Sequence, residues 1–117
     1  MNGRLDIAKE VCKKTSVDVS DLDDVDQSLH WAAHLGRVNV VRELIKRGAG
    51  INAKYDSGKT PLNSASQYGH INVVRFLVKC NTDIEVQTND GVTPLRFASL
   101  KGHLNVAQFL RSKGATE

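Results

Sequence analysis

The chain repeats itself every 33 residues, and this period constrains its fold more than any other feature. The stretch GKTPLNSASQYGHINVVRFLV at 58–78 aligns without a gap with GVTPLRFASLKGHLNVAQFLR at 91–111. The same register reaches back to SLHWAAHLGRVNVVRELI at 28–45 and into the N-terminal residues. A fixed period of this length is typical of solenoids built from stacked supersecondary units. We therefore predict a single repeat domain at 1–117, made of a partial unit at 1–22 and full units at 23–55, 56–88 and 89–117.

Each unit is predicted to form two helices joined by a tight turn. In the middle unit, Thr60 can cap the first helix, and Pro61 suits its first position. Gly69 can end that helix, because glycine tolerates the left-handed conformation required there. The second helix carries apolar residues at i, i+3 and i+4 from Val73 to Leu77. One such unit cannot bury its own apolar face, so neighbouring units must stack.

This pattern resembles the ankyrin repeat. The family motif G-x-T-P-L-H-x-A-x-x-x-G-H appears as GKTPLNSASQYGH and GVTPLRFASLKGH. The resemblance implies an all-α ankyrin solenoid of helix–turn–helix units with β-turn or hairpin loops. It also implies that His70 and His103 brace the loops by hydrogen bonds, and His30, near the predicted start of the first helix, is read the same way. The chain departs from the family pattern at Val25 in the turn-glycine column, at Gln27-Ser28 in place of Thr-Pro, at Asn63 and Arg96 in place of the motif histidine, and at Asn81 in place of a glycine.

Two short stretches mimic nucleotide-binding loops. Gly58-Lys59-Thr60 matches the end of a phosphate-binding loop, but Ala53 occupies the position of the first glycine that such a loop requires. The counterpart of this stretch one repeat later lacks the lysine, so we interpret it as a turn and a helix cap. GAGINA at 48–53 follows a helix rather than a strand, which disfavours a dinucleotide site. We therefore predict no cofactor.

The acidic run DVSDLDDVD at 18–26 lacks the alternating oxygen ligands, the glycine and the later glutamate of a calcium loop. A solvated turn is the simpler interpretation, and an acidic tip that meets a basic partner is the alternative. The two cysteines, Cys12 and Cys80, have no zinc-site or disulfide spacing, which favours a reducing intracellular setting, cytoplasmic or nuclear. No arrangement of nucleophile and base is evident, so we predict no enzymatic activity and no metal site.

The net charge of +3 is small, but the basic residues concentrate on the second helices. The simplest interpretation is a solvated convex face. The alternative is a cationic strip for an acidic protein, phospholipid headgroups or nucleic acid. Aromatic residues do not interleave with these charges, which disfavours single-stranded nucleic acid. The residues concerned are Lys9, Lys13, Lys14, Arg42, Lys46, Arg47, Arg75, Lys79, Arg111 and Lys113.

Ankyrin-like stacks bind protein partners on their concave side, which is built from turn tips and the exposed side of each first helix. The resemblance thus implies a non-catalytic protein-interaction module, with neither nucleic acid nor a membrane as its partner. A structural or engineered segment with no partner of its own, or an electrostatic binder using the convex face, are the alternatives. We expect a monomer, with end-to-end association as a second possibility because the last unit has few polar outer positions. The predicted partner-binding residues are Asp24, Asp26, Trp31, His34, Leu35, Ser57, Lys59, Ser64, Gln67, Tyr68, Asp90, Val92, Phe97, Leu100 and Lys101.

Overall fold

The computed structural model describes residues 22–116, with side chains from Val25 onward. Within this part the chain forms six α-helices and no strand, which confirms the predicted all-α fold. A short 3₁₀ turn at Asp56–Gly58 precedes the third helix. The helices are α1 (Leu22–Leu35), α2 (Val38–Lys46), α3 (Pro61–Gln67), α4 (Ile71–Lys79), α5 (Pro94–Lys101) and α6 (Leu104–Ser112).

The helices form two layers, because each packs on its counterpart in the neighbouring unit. The first helices α1, α3 and α5 contact one another in sequence, and the second helices α2, α4 and α6 do the same. Leucines at the repeat period fill the space between the layers, and each is completely buried. Truncating such a leucine to alanine typically costs about 2–5 kcal/mol. The two leucine columns are Leu29, Leu62 and Leu95 on the first helices, and Leu44, Leu77 and Leu110 on the second.

The predicted helix start at Thr60-Pro61 is confirmed. The Thr60 side chain accepts a hydrogen bond from the Asn63 backbone N–H, and the Asn63 side chain accepts one from the Thr60 backbone N–H. This reciprocal pair satisfies two N–H groups at the helix end. In α5, Thr93 caps the Arg96 N–H in the same way, but the arginine side chain cannot return the bond.

The first unit differs from the prediction, because α1 begins at Leu22, before the expected turn. Val25 occupies the turn-glycine column but lies inside the helix and is 3% exposed. Without a glycine or a Thr-Pro pair, nothing in this stretch stops the helix, and Val25 and Leu29 bury the same helical face. Asp24 and Asp26 are among the predicted partner-binding residues as residues of a turn tip, but both lie within α1. That placement is therefore wrong, as is the prediction of a solvated turn over 22–26. The rest of the acidic run lies outside the described residues.

His70 and His103 make hydrogen bonds, as predicted, but these bonds join one unit to the next. Nε2–H of His70 donates to the His34 carbonyl at 2.9 Å, and Nε2–H of His103 donates to the Gln67 carbonyl at 3.0 Å. Each imidazole packs against a glycine of the preceding unit. A Cβ added at Gly69, whose φ is +74°, would lie 2.6 Å from Nδ1 of His103. Glycine is thus required both for its backbone conformation and for the space above it.

The loops between the helix pairs end in turns that contact one another. Tyr55 N–H donates to the Lys59 carbonyl at 2.7 Å, and Thr88 N–H donates to the Val92 carbonyl at 3.0 Å. A third bond, from Asn89 N–H to the Ser57 carbonyl at 2.8 Å, joins the two turn tips. Neighbouring turns are therefore fixed relative to each other as well as to their helices.

Candidate functional site

We call the exposed side of α1, α3 and α5, together with the turns before α3 and α5, the first-helix face. It corresponds to the surface predicted to be concave. Because the three helices lie side by side, residues of one column become neighbours across the face. This arrangement determines which of the predicted residues contact one another.

Three predicted residues, Trp31, His34 and Tyr68, form a continuous group that we call the aromatic patch. The ring centroids of Trp31 and His34 are 5.2 Å apart, and those of His34 and Tyr68 are 4.4 Å apart. The interplanar angles of 76° and 66° are edge-to-face arrangements, which aromatic rings favour. Trp31 is 47% exposed and Tyr68 is 43% exposed. The patch is therefore ordered by its own contacts and open to solvent.

Two further rings, His30 and Tyr55, adjoin this patch. The His30 ring stacks on Tyr55 with centroids 4.2 Å apart, and its centroid lies 6.0 Å from that of Trp31. Gln27 Nε2 donates to the Tyr55 hydroxyl at 3.1 Å, and Ser64 Oγ lies 3.5 Å from His30 Nδ1. His30 is nearly inaccessible, so it positions the exposed rings rather than contacting a partner.

Burial gives His30 a pKa below the ordinary histidine value, and electrostatic repulsion between a protonated His30 and the neighbouring His34 and Lys59 lowers that pKa further. The pKa of His70 is also lowered, mainly by burial, although its hydrogen bond to the His34 carbonyl raises it in part. Both imidazoles are therefore neutral at pH 7. Because a carbonyl can only accept, the neutral His70 ring carries its proton on Nε2.

A second group lies toward α5. Lys59 Nζ donates to Gln67 Oε1 at 2.7 Å and lies 5.7 Å from the centroid of the Phe97 ring. The amide and the ring together hold the ammonium group beside the aromatic patch, since Gln67 precedes Tyr68. Lys59, which mimicked the lysine of a phosphate loop, is thus held on this face by residues of α3 and α5.

Exposed apolar side chains concentrate on the first-helix face. Five large hydrophobic residues are exposed in the described part of the chain. Four of them, Trp31, Leu35, Tyr68 and Leu100, are predicted partner-binding residues; the fifth, Leu104, begins α6. Apolar surface of this kind, grouped and surrounded by polar groups, is characteristic of interaction sites.

A family model described as ankyrin repeats (3 copies) matches residues 29–116 of the 117. The chain belongs to the ankyrin-repeat family. A search of the curated proteins gave no match. Ankyrin repeats are generally protein–protein interaction modules and are typically non-catalytic.

The structure corrects several of the predicted site residues. Ser64 is fully buried and faces His30, so it cannot contact a partner. Asp26 lies within α1, where its carboxylate accepts the Gly50 N–H at 2.6 Å; the Asp24 side chain lies outside the described part. His30, expected near a helix start, is in the middle of α1 and makes no carbonyl bond like that of His70. Of the remaining positions, Ser57, Asp90 and Lys101 are exposed, whereas Lys59, Val92 and Phe97 are half-buried.

Sequence reasoning missed His30 and Tyr55 as components of the face. The spacing of His30, Trp31 and His34 contains a signal, because residues three and four apart share one side of a helix. Tyr55 carries no such signal, because its contact with His30 depends on the path of the loop between α2 and α3. Within residues 22–116, no group of three or more His, Cys, Asp or Glu side chains could hold a metal ion. No helix in the same range is long and apolar enough to cross a membrane.

Proposed function

We propose that this ankyrin-repeat domain is a non-catalytic interaction module that binds a protein partner through the first-helix face. The observation that carries the proposal is the concentration of exposed apolar side chains on this face, centred on the aromatic patch. Tryptophan and tyrosine are the residues most enriched among the anchors of protein interfaces. We also propose that the domain acts as a rigid scaffold in an intracellular setting.

Rigidity is the physical basis of the proposed mechanism. The rings of Trp31, His34 and Tyr68 are held by contacts with one another and with His30. A partner that covers them therefore orders few side chains on binding, and the entropic cost of association is reduced. Lys59, fixed by Gln67, and the exposed Lys101 and Asp90 lie on the same face as polar groups that can set the orientation of the partner.

The proposal is tested by capturing partners from cell lysate with the native chain and with a Trp31→Ala/Tyr68→Ala/Phe97→Ala variant. A Leu104→Ala/Gln108→Ala variant is the control, because it removes an exposed leucine that lies outside the face. Circular dichroism first establishes that all three proteins are folded. Proteins held by the native chain and the control, but lost from the face variant, would support the proposal. An identical set on all three, or no specific protein on any, would contradict it.

A captured partner then allows a quantitative measurement. If Trp31 is an anchor, the single Trp31→Ala substitution should weaken binding by about 2 kcal/mol, or roughly 30-fold in Kd. The partly covered Phe97 should have a smaller effect. Titration calorimetry with each single variant measures both values.

A further inference from the structure

A second candidate site lies on the other layer of the solenoid, away from the first-helix face. A groove of about 560 Å³ runs between α2 and α4. Its walls carry Arg42 from α2 and Asn72, Arg75 and Lys79 from α4, and Phe76 contributes an apolar surface between them. We call it the second-helix groove.

Both arginines of the groove are held by aromatic rings of the next unit along the chain. The Arg42 guanidinium carbon lies 5.1 Å from the centroid of the Phe76 ring, and that of Arg75 lies 5.2 Å from the centroid of the Phe109 ring. The two pairs are separated by one repeat, so the same arrangement occurs at both interfaces. A guanidinium that contacts a ring through its flat face keeps its N–H groups in the plane, where they can bind a carboxylate with two parallel hydrogen bonds.

The charges around the groove are not neutralised by the described part of the chain. Among the residues of α2, α4 and α6, Glu43 is the one acidic residue, and its carboxylate is bound to Arg47 at 2.7 Å. Arg42, Arg75 and Lys79 form no ion pair with any residue of 25–116. The other acidic residues whose side chains are described lie on α1 or in the loops: Asp26, Asp56, Asp83, Glu85 and Asp90. Arg42, Arg75 and Lys79 thus present positive charge that no acidic residue of 25–116 pairs with, around a partly apolar groove.

We propose that the second-helix groove binds an acidic peptide segment of a protein partner, independently of the first-helix face. Carboxylates of the segment would pair with the N–H groups of Arg42 and Arg75, and an apolar side chain between them would contact the part of Phe76 that the Arg42 guanidinium does not cover. The groove fits a peptide better than single-stranded nucleic acid, because guanidinium groups already occupy the faces of Phe76 and Phe109 on which bases would stack.

The test uses a fluorescently labelled peptide of alternating glutamate and leucine, read by anisotropy at about 0.15 M salt. An Arg42→Gln/Arg75→Gln variant of the whole chain should weaken binding at least about tenfold, because it removes two charge-assisted hydrogen-bonding groups. The control is a Lys46→Gln/Lys54→Gln variant. It has the same net charge but changes residues outside the groove, and it should stay within about twofold of the native chain.

One further variant and three further probes make the outcome decisive. An Arg42→Lys/Arg75→Lys variant keeps the charge but loses the planar guanidinium, so its affinity should also fall, by at least about threefold. The glutamine version of the peptide should not bind. Equal losses in the groove variant and the control would overturn the proposal, because binding would then follow net charge alone. No binding of the acidic peptide, or tighter binding of an oligothymidine or of phosphatidylserine vesicles, would overturn it as well.

Discussion

Replacing Gly69 by alanine would place a methyl group 2.6 Å from Nδ1 and 2.8 Å from Cε1 of His103. The imidazole would have to move, and its hydrogen bond to the Gln67 carbonyl at 3.0 Å would be lost or distorted. Gly102 provides a matched control, because it occupies the same position in the last unit with a φ of +77°. No atom lies within 4 Å of a Cβ added at Gly102. The two substitutions therefore share the backbone conformation and differ in the histidine contact.

The magnitude follows from two contributions. The left-handed conformation costs an alanine about 1–2 kcal/mol at either site. The loss of the histidine hydrogen bond adds about 0.5–1.5 kcal/mol at Gly69 alone. We therefore expect Gly69→Ala to lower the free energy of unfolding by about 1.5–3.5 kcal/mol and Gly102→Ala by about 1–2 kcal/mol.

Urea unfolding followed by circular dichroism measures both values. A second measurement makes the Gly69→Ala substitution in a His103→Ala background. It distinguishes the effect of the histidine contact on stability from the effect of the position of the glycine in the stack. With the imidazole removed, the cost of Gly69→Ala should fall to the cost seen at Gly102. If it stays unchanged in that background, the histidine does not require the glycine, and our account of how the units are joined is refuted.

Further predictions concern the capping pair and pH. Asn63→Ala should destabilise the fold by about 1–3 kcal/mol in urea unfolding, because it removes the side-chain Oδ1 that accepts hydrogen bonds from the buried Thr60 N–H and hydroxyl. Arg96→Ala, in the same column but exposed, should stay within about 0.5 kcal/mol. Burial lowers the pKa of His30 and His70 below 6.5 in the folded state, so the unfolded state takes up protons first as the pH falls. Stability should thus be constant above about pH 7.5 and decrease as the pH drops through about 6.5, and a His70→Gln variant should show a smaller decrease.

The repeat period predicted much of the fold, because units of similar sequence adopt the same local structure. The cap at Thr60, the helix end at Gly69 and the hydrogen-bonding role of His70 and His103 were all predicted, since each is signalled by residues close in sequence or one repeat apart. That the histidine bonds join neighbouring units was not predicted. The first unit was predicted least well. Its sequence lacks the turn glycine and the Thr-Pro pair. The helix α1 therefore extends back to Leu22, and Val25 is buried within it.

The candidate site was predictable to the extent that side chains at equivalent positions of successive repeats point to the same side of the stack. Trp31, Tyr68 and Leu100 are exposed on the first-helix face where their columns placed them. Ser64 occupies the same repeat position as Trp31, yet it is buried, and the His30 ring of the preceding unit lies against it. Residues at equivalent positions of the repeat therefore differ in exposure where a large side chain of an adjacent unit covers one of them.

The sequence by itself determined the period, the helix pairs, the apolar columns and the positions at which glycine is required. These follow from local backbone preferences and from the need of each unit to bury one face. Only the tertiary structure decided which exposed residues touch across units: His34 between Trp31 and Tyr68, Lys59 against Gln67 and Phe97, and the arginines over the phenylalanines of the next repeat. Such contacts depend on side-chain directions and distances between stacked helices, and a one-dimensional pattern does not specify those quantities.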